Sequence, residues 1–257
     1  MTGAAVEMVD LSRQFGSFVA VDKVNLVVHR GEIFGFLGAN GAGKTTTIRM
    51  LCGLLRPSSG RGTVGGFDID REPERIKRII GYMSQRFSLY DDLTVRENLH
   101  FFGGVYGLNN HGLRERIAVV ADRLGLRDLL GSMVRALPLG FKQRLSLASA
   151  ILHQPRILFL DEPTGGVDPA ARRNFWDIIY ELAAGGTTVF VTTHYMDEAE
   201  YCHRLSIMHH GRLIAAASPW EMKSTYGKDT MEEVFIHLIE EDDNGRQGGG
   251  STTGGAS

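Results

Sequence analysis

The 257-residue chain has only two cysteines, Cys52 and Cys202, far apart in sequence. That spacing suits neither a disulfide framework nor a metal-binding knuckle, so both read as ordinary buried thiols of a reducing compartment. Long apolar runs are missing too. The longest, such as 157–160, have strand length, well short of the roughly 18 residues a membrane-spanning helix needs. Residues 1–14 show no basic-then-apolar targeting pattern. Neither sign of charge dominates: 28 Lys and Arg stand against 30 Asp and Glu, a formal net charge of -2. Such balance gives no electrostatic footprint for nucleic acid or for an anionic bilayer. These absences lead us to expect a soluble cytoplasmic protein without a nucleic-acid partner. Any membrane role has to run through another chain.

What is present is an ordinary globular composition, 43% hydrophobic and 23% charged, in a length that suits one large domain or two intimate lobes. Residues 7–11 and 24–28 are short, β-branched and apolar, and predict an antiparallel start. Residues 32–37 form an apolar run with Gly35 inside it, read as a buried strand. Ile48, Leu51 and Leu55 then recur at helical spacing until Pro57-Ser58-Ser59-Gly60 stops them. From about 91 to 154 the texture is helical, over 95–106, 113–130 and 145–152. Strands return at 157–160 and 187–192, separated by a helix over 170–182, and 205–217 reads as a hairpin about His210-Gly211. Strands alternating with helices predict a largely parallel sheet with helices on its faces. Residues 240–257 turn acidic and then Gly/Ser/Thr-rich, a composition expected to stay disordered.

Two segments carry chemistry. Gly38-Ala39-Asn40-Gly41-Ala42-Gly43-Lys44-Thr45 fits the phosphate-loop pattern G-x-x-x-x-G-K-[ST]. Glycines let successive backbone N–H groups turn inward around phosphate oxygens, and the helix that follows points its positive end at the same place. Lys44 is placed to reach the β- and γ-phosphates and the Thr45 hydroxyl to bind Mg²⁺, with Thr46 next to it. The second segment, 157–162, is an apolar strand ending in Asp161 and Glu162. A parallel strand delivers such carboxylates to the carboxyl edge of the sheet, where ligands bind. Asp161 is expected to hold the metal shell and Glu162 to polarise an attacking water.

With these residues in place, the chain resembles the nucleotide-binding domain of ABC transporters, from about residue 6 to 238. The resemblance implies a P-loop NTPase of the α/β class with a RecA-like core, an N-terminal antiparallel β subdomain and an inserted helical subdomain. It divides the chain into an ATPase domain over 1–240, with a core lobe at about 1–88 and 155–240 and a helical lobe at about 89–154. A disordered tail follows over 241–257. Asp168, in Gly165-Gly166-Val167-Asp168-Pro169, matches the D-loop acid. His194 matches the switch histidine at the γ-phosphate, and Gln85 the glutamine that senses the metal and touches the coupling surface. Phe15 matches the aromatic that stacks on adenine, with Phe18 as a rival; the other eight histidines, His209-His210 among them, read as structural or surface residues. The ligands implied are ATP and Mg²⁺. The implied partners are a second cassette and a membrane permease that holds this chain at the inner face of the cell membrane. The segment 87–106 resembles the exporter branch handling drugs, lipids or polysaccharides.

One motif departs from the family pattern. Where the signature has Leu-Ser-Gly-Gly-Gln, this chain has Leu137-Pro138-Leu139-Gly140-Phe141. Pro138 has neither a hydroxyl nor an N–H, and Leu139 adds bulk where backbone approach matters. A signature so altered favours pairing with an unlike cassette over a symmetric homodimer.

Overall fold

A computed structural model describes residues 3–108 and 110–248. The chain opens with the hairpin β1 (Ala4–Phe15) and β2 (Phe18–His29), then β3 (Ile33–Leu37), which runs through the phosphate loop into α1 (Lys44–Leu51). β4 (Ser59–Val64), β5 (Phe67–Asp68), α2 (Pro73–Ile79) and β6 (Ile80–Met83) follow. Next come α3 (Val95–Val105), α4 (Asn110–Arg123) and α5 (Leu139–Ile151), with short 3-10 turns at Arg127–Leu129 and Val134–Ala136. The chain returns through β7 (Ile157–Asp161), α6 (Pro169–Ala184), β8 (Thr188–Thr193) and α7 (Met196–Ala199). It ends with the hairpin β9 (Arg204–His209) and β10 (Arg212–Ala217), α8 (Pro219–Tyr226) and α9 (Met231–Gly248).

Two sheets result. One is four-stranded and antiparallel, in the order β2-β1-β4-β5. The other is six-stranded, β10-β9-β3-β8-β7-β6, and parallel except for its β10 edge. The two-residue period of a strand sends alternate side chains of the larger sheet into two separate cores. Phe34, Phe36, Phe159 and Phe190 point to one face and meet Val6, Met8 and Leu11 of β1 and Ile48 and Leu51 of α1. Ile33, Leu37, Leu158, Leu160, Val189 and Val191 point to the other and meet α3 to α6, α8 and α9. A sheet covered on both faces needs strands apolar at every position, and β3, β7 and β8 are buried throughout. Gly35 is required in β3 because a Cβ there would lie 2.7 Å from Cys202 Sγ.

Several elements differ from the sequence expectation. The helix expected over 145–152 starts earlier, at Leu139, and the one expected to reach 130 stops at Arg123. β4 escapes a pattern search because Gly60, Arg61 and Gly62 give it no apolar alternation. The expected disordered tail needs correction over 241–248, which continue α9 as helix. Asp242 there is held by His209, Arg212 and Arg246, partners that composition could not supply. Residues 249–257 lie outside the described residues.

Candidate functional site

The parallel strands β3, β8, β7 and β6 end at one edge of the sheet, and the residues that follow them build a single site. The loop 38–45 leaves β3 and wraps the start of α1. Glycine is obligatory at two of its positions. A Cβ on Gly38 would lie 2.5 Å from the Met208 carbonyl oxygen, and one on Gly43, at φ 108°, would lie 2.5 Å from that of Ala20. Ala42 is buried in the core beneath the loop. Lys44 is 4% exposed, and its Nζ donates to the carbonyls of Gly38 (2.7 Å) and Ala39 (3.1 Å). A cation so deeply buried requires such partners. It also lies 3.3 Å from Glu162 Oε1.

Asp161 ends β7 almost fully buried. Its Oδ1 accepts from Thr192 Oγ1 (2.7 Å) and Thr45 Oγ1 (3.1 Å), while Oδ2 has no partner. Burial raises the Asp161 pKa above the usual carboxylate value, only partly offset by the two threonine hydroxyls. A buried, unpaired carboxylate oxygen beside a hydroxyl is a set of hard oxygen donors that fits Mg²⁺.

Glu162 follows with φ 50°, in the left-handed region that a β-carbon normally avoids. Its N–H is held by Thr192 O and Oγ1 at 3.1 and 2.9 Å. This turn brings the carboxylate back over the phosphate loop, where Gln85 Nε2 donates to Oε2 at 2.9 Å. His194 Nδ1 stands 3.2 Å from the same oxygen, near enough for an ion pair but without hydrogen-bond geometry. Lys44, Gln85, Glu162 and His194 therefore converge. A cavity of about 290 Å³ lies against Asn40, Gly41 and residues 43–46, with Phe18, Ala20, Gln85 and Glu162 on its other walls.

Phe18, 62% exposed, lines this cavity and Phe15 does not. The two face each other across the β1–β2 turn, and the Arg13 guanidinium covers one face of the Phe15 ring at 4.5 Å. The altered signature, residues 137–141, does not line the cavity either. Pro138 is the N-cap of α5, its carbonyl accepting from Phe141 and Lys142 N–H, and no side chain caps the helix. Gly140 approaches Val167 and Ala171, Leu139 approaches Gly166, and Gln143 Nε2 donates to the Gly165 carbonyl at 2.9 Å. The signature thus rests on the loop that carries Asp168, whose own carboxylate caps α6 through Ala170 and Ala171 N–H.

Sequence reasoning missed two groups. Thr192 positions both acids. Glu198, fully buried, accepts from Thr164 and Thr193 and so joins the loop after Glu162 to the residue before His194. The pairing of β7 with β8 reveals Thr192, and the packing of α7 against the ends of both strands reveals Glu198.

The sequence matches the family model described as ABC transporter over residues 21–165, more than half the chain. The chain belongs to the ABC transporter family. It is 50% identical, over 91% of its length, to the probable multidrug ABC transporter ATP-binding protein YbhF of Escherichia coli strain K12, of which it spans 41%. It is 41% identical, over 88% of its length, to the daunorubicin/doxorubicin resistance ATP-binding protein DrrA of Streptomyces peucetius, spanning 69% of that protein. A solved structure described as an ATP binding subunit of an ABC transporter superposes with a TM-score of 0.83 at 30% identity, covering 91% of this chain and 99% of that one. The cassette therefore has the P-loop NTPase fold of ABC ATPases. Among the described residues no helix is long and apolar enough to cross a membrane.

Proposed function

We propose that this cassette binds ATP with Mg²⁺ in the cavity over residues 38–46 and hydrolyses it to drive a separate membrane permease. The observation that carries the reading is the Glu162 carboxylate, within 3.3 Å of Lys44 Nζ, Gln85 Nε2 and His194 Nδ1 at once. Lys44 and the loop N–H groups bind phosphate oxygens. Thr45 and Asp161, with Gln85 beside them, would hold Mg²⁺, which when bound neutralises charge on the β- and γ-oxygens. Glu162 accepts a proton from, and orients, the water that attacks the γ-phosphorus in line. His194 donates to the γ-phosphate, and the aromatic at the β1–β2 turn, Phe18 or Phe15, stacks on the base.

Export is the direction supported by the names of the two relatives, one multidrug and one drug-resistance, and by the segment 87–106. The cassette sits at the inner face of the membrane through its permease. A second cassette completes the site with N–H donors from its signature helix, because no residue of this chain's own signature, 137–141, lines the cavity. Because Pro138 and Leu139 degrade that signature, the partner is an unlike cassette with an intact one. A rival reading, a cassette that binds ATP without turnover and regulates its partner, draws on the same two residues.

The test is Glu162→Gln. It keeps ATP affinity within about twofold and lowers phosphate release by about 10²–10³-fold, the scale of a lost transition-state contact. Equal turnover by wild type and variant, measured with the permease and partner cassette present, favours the regulatory reading.

A further inference from the structure

The β9–β10 hairpin and the last turns of α9 bring together side chains that the ATP site does not use. His209 ends β9, largely buried, with Nδ1 2.9 Å from Asp242 Oδ2. Asp242 also accepts from Arg212 Nη2 at 3.2 Å and lies 3.2 Å from Arg246 Nε. The Asp242 contact fixes the His209 ring and leaves Nε2 facing the neighbouring Asp243. His210 follows in the turn at φ 45°, its ring centroid 4.0 Å from that of His209.

The three remaining ligand atoms converge. Asp243 Oδ1 lies 3.8 Å from His209 Nε2 and 3.6 Å from His210 Nε2. One ligand atom from each of these residues lies within 4.8 Å of the other two. The distances are too long for hydrogen bonds. They approach the roughly 3.3–3.5 Å that separates neighbouring ligand atoms around a tetrahedral cation held at about 2.0–2.1 Å.

We propose that His209, His210 and Asp243 form a site for a divalent cation of the zinc class, separate from the ATP site. Two imidazoles and one carboxylate select a borderline-soft cation over Mg²⁺ or Ca²⁺, with water in the fourth position. The Asp242–His209 bond supplies the carboxylate behind a ligating imidazole that such sites use to set ring orientation and basicity. His210 and Asp243 are about half exposed, so a cation reaches the site without opening the core. The location gives binding a consequence. Gly211 N–H donates to the Ala42 carbonyl at 3.0 Å, and Met208 O packs against Gly38. A bound cation therefore ties α9 to the hairpin that supports the phosphate loop.

The full chain, stripped of metal and free of nucleotide, is titrated with Zn²⁺ against a chromophoric chelator. Co²⁺ then replaces Zn²⁺ for visible spectroscopy. The expected results are a single tight equivalent, a tetrahedral Co²⁺ spectrum, and a thermal midpoint that rises with Zn²⁺ but not with Mg²⁺. His210→Ala and Asp243→Asn each weaken binding by about 100-fold, and Asp242→Asn by about tenfold. The first two leave the metal-free melting temperature and basal phosphate release unchanged, because both side chains reach solvent. Absence of Zn²⁺ binding, or binding that both His210→Ala and Asp243→Asn leave intact, overturns the proposal.

Discussion

At the scale of single residues, Asp161 holds a charge that the nucleotide-free fold disfavours. Its pKa is raised by burial, and one oxygen has no partner. A carboxyl group with a higher pKa folded than unfolded binds its proton more tightly in the native state. The stability this gives is present below the ordinary carboxylate value and is lost as pH rises through the raised one. The nucleotide-free melting temperature is therefore expected to fall across that window, with a smaller fall in Asp161→Asn. That variant is expected to melt higher at neutral pH yet lose the added stability from ATP with Mg²⁺. Melting curves recorded against pH, with and without Mg²⁺-ATP, check both signs; parallel pH slopes for the two proteins would refute the assignment. Glu162→Gln belongs to the same scale, since its left-handed backbone aims one carboxylate at three neighbours. Both acids were legible in the sequence as a charged end to an apolar strand. Thr192, which holds both, was not, because a hydroxyl on a neighbouring strand follows no local pattern.

At the scale of elements, two helix N-termini meet beside the site with opposite capping. α6 has Asp168 bonding two N–H groups ahead of Pro169, a strong start in which proline loses no hydrogen bond. Asp168→Ala is expected to cost about 1 kcal/mol in urea unfolding and to loosen the loop 163–168 against α5. α5 starts at Pro138 with no side-chain acceptor. Pro138→Ser supplies one and is expected to add about 0.5–1 kcal/mol of stability. It also restores a hydroxyl for a facing γ-phosphate. In a Glu162→Gln background it is expected to strengthen ATP-dependent self-association, read by light scattering. An unchanged monomer would mean that Leu139, 41% exposed on the first turn, is the greater obstacle. The start of α5 was hidden in the sequence because proline and glycine there mimic a loop. The start of α1 was plain, since a glycine-rich turn precedes apolar residues at helical spacing, but the helix stops at Leu51, one turn short of the expected Leu55.

At the scale of the whole molecule, one sheet with a core on each face fixes the residues proposed to bind ATP on a common edge, while the signature lies on an inserted helix packed against residues 165–171. No residue of 137–141 lines the cavity. The isolated cassette is therefore expected to turn over slowly. Addition of an unlike cassette with an intact signature, in the presence of the permease, is expected to raise phosphate release by about 10²-fold, the scale of restored γ-phosphate donors. Brisk turnover by the purified chain alone would instead support a symmetric dimer.

The phosphate loop, the two acids at the end of β7 and the α/β alternation were legible in the sequence alone. Each depends on a local rule: backbone conformation at glycine, apolar periodicity, or charge at a strand end. Tertiary contacts were needed to show which aromatic lines the cavity, that Thr192 holds both acids, that Glu198 ties the loop after them to the end of β8, and that 241–248 fold back as helix onto His209 and Arg212. Those contacts join residues tens of positions apart through side chains whose types are common at any surface. Their meaning arises from strand order and helix docking, which no short window of sequence encodes.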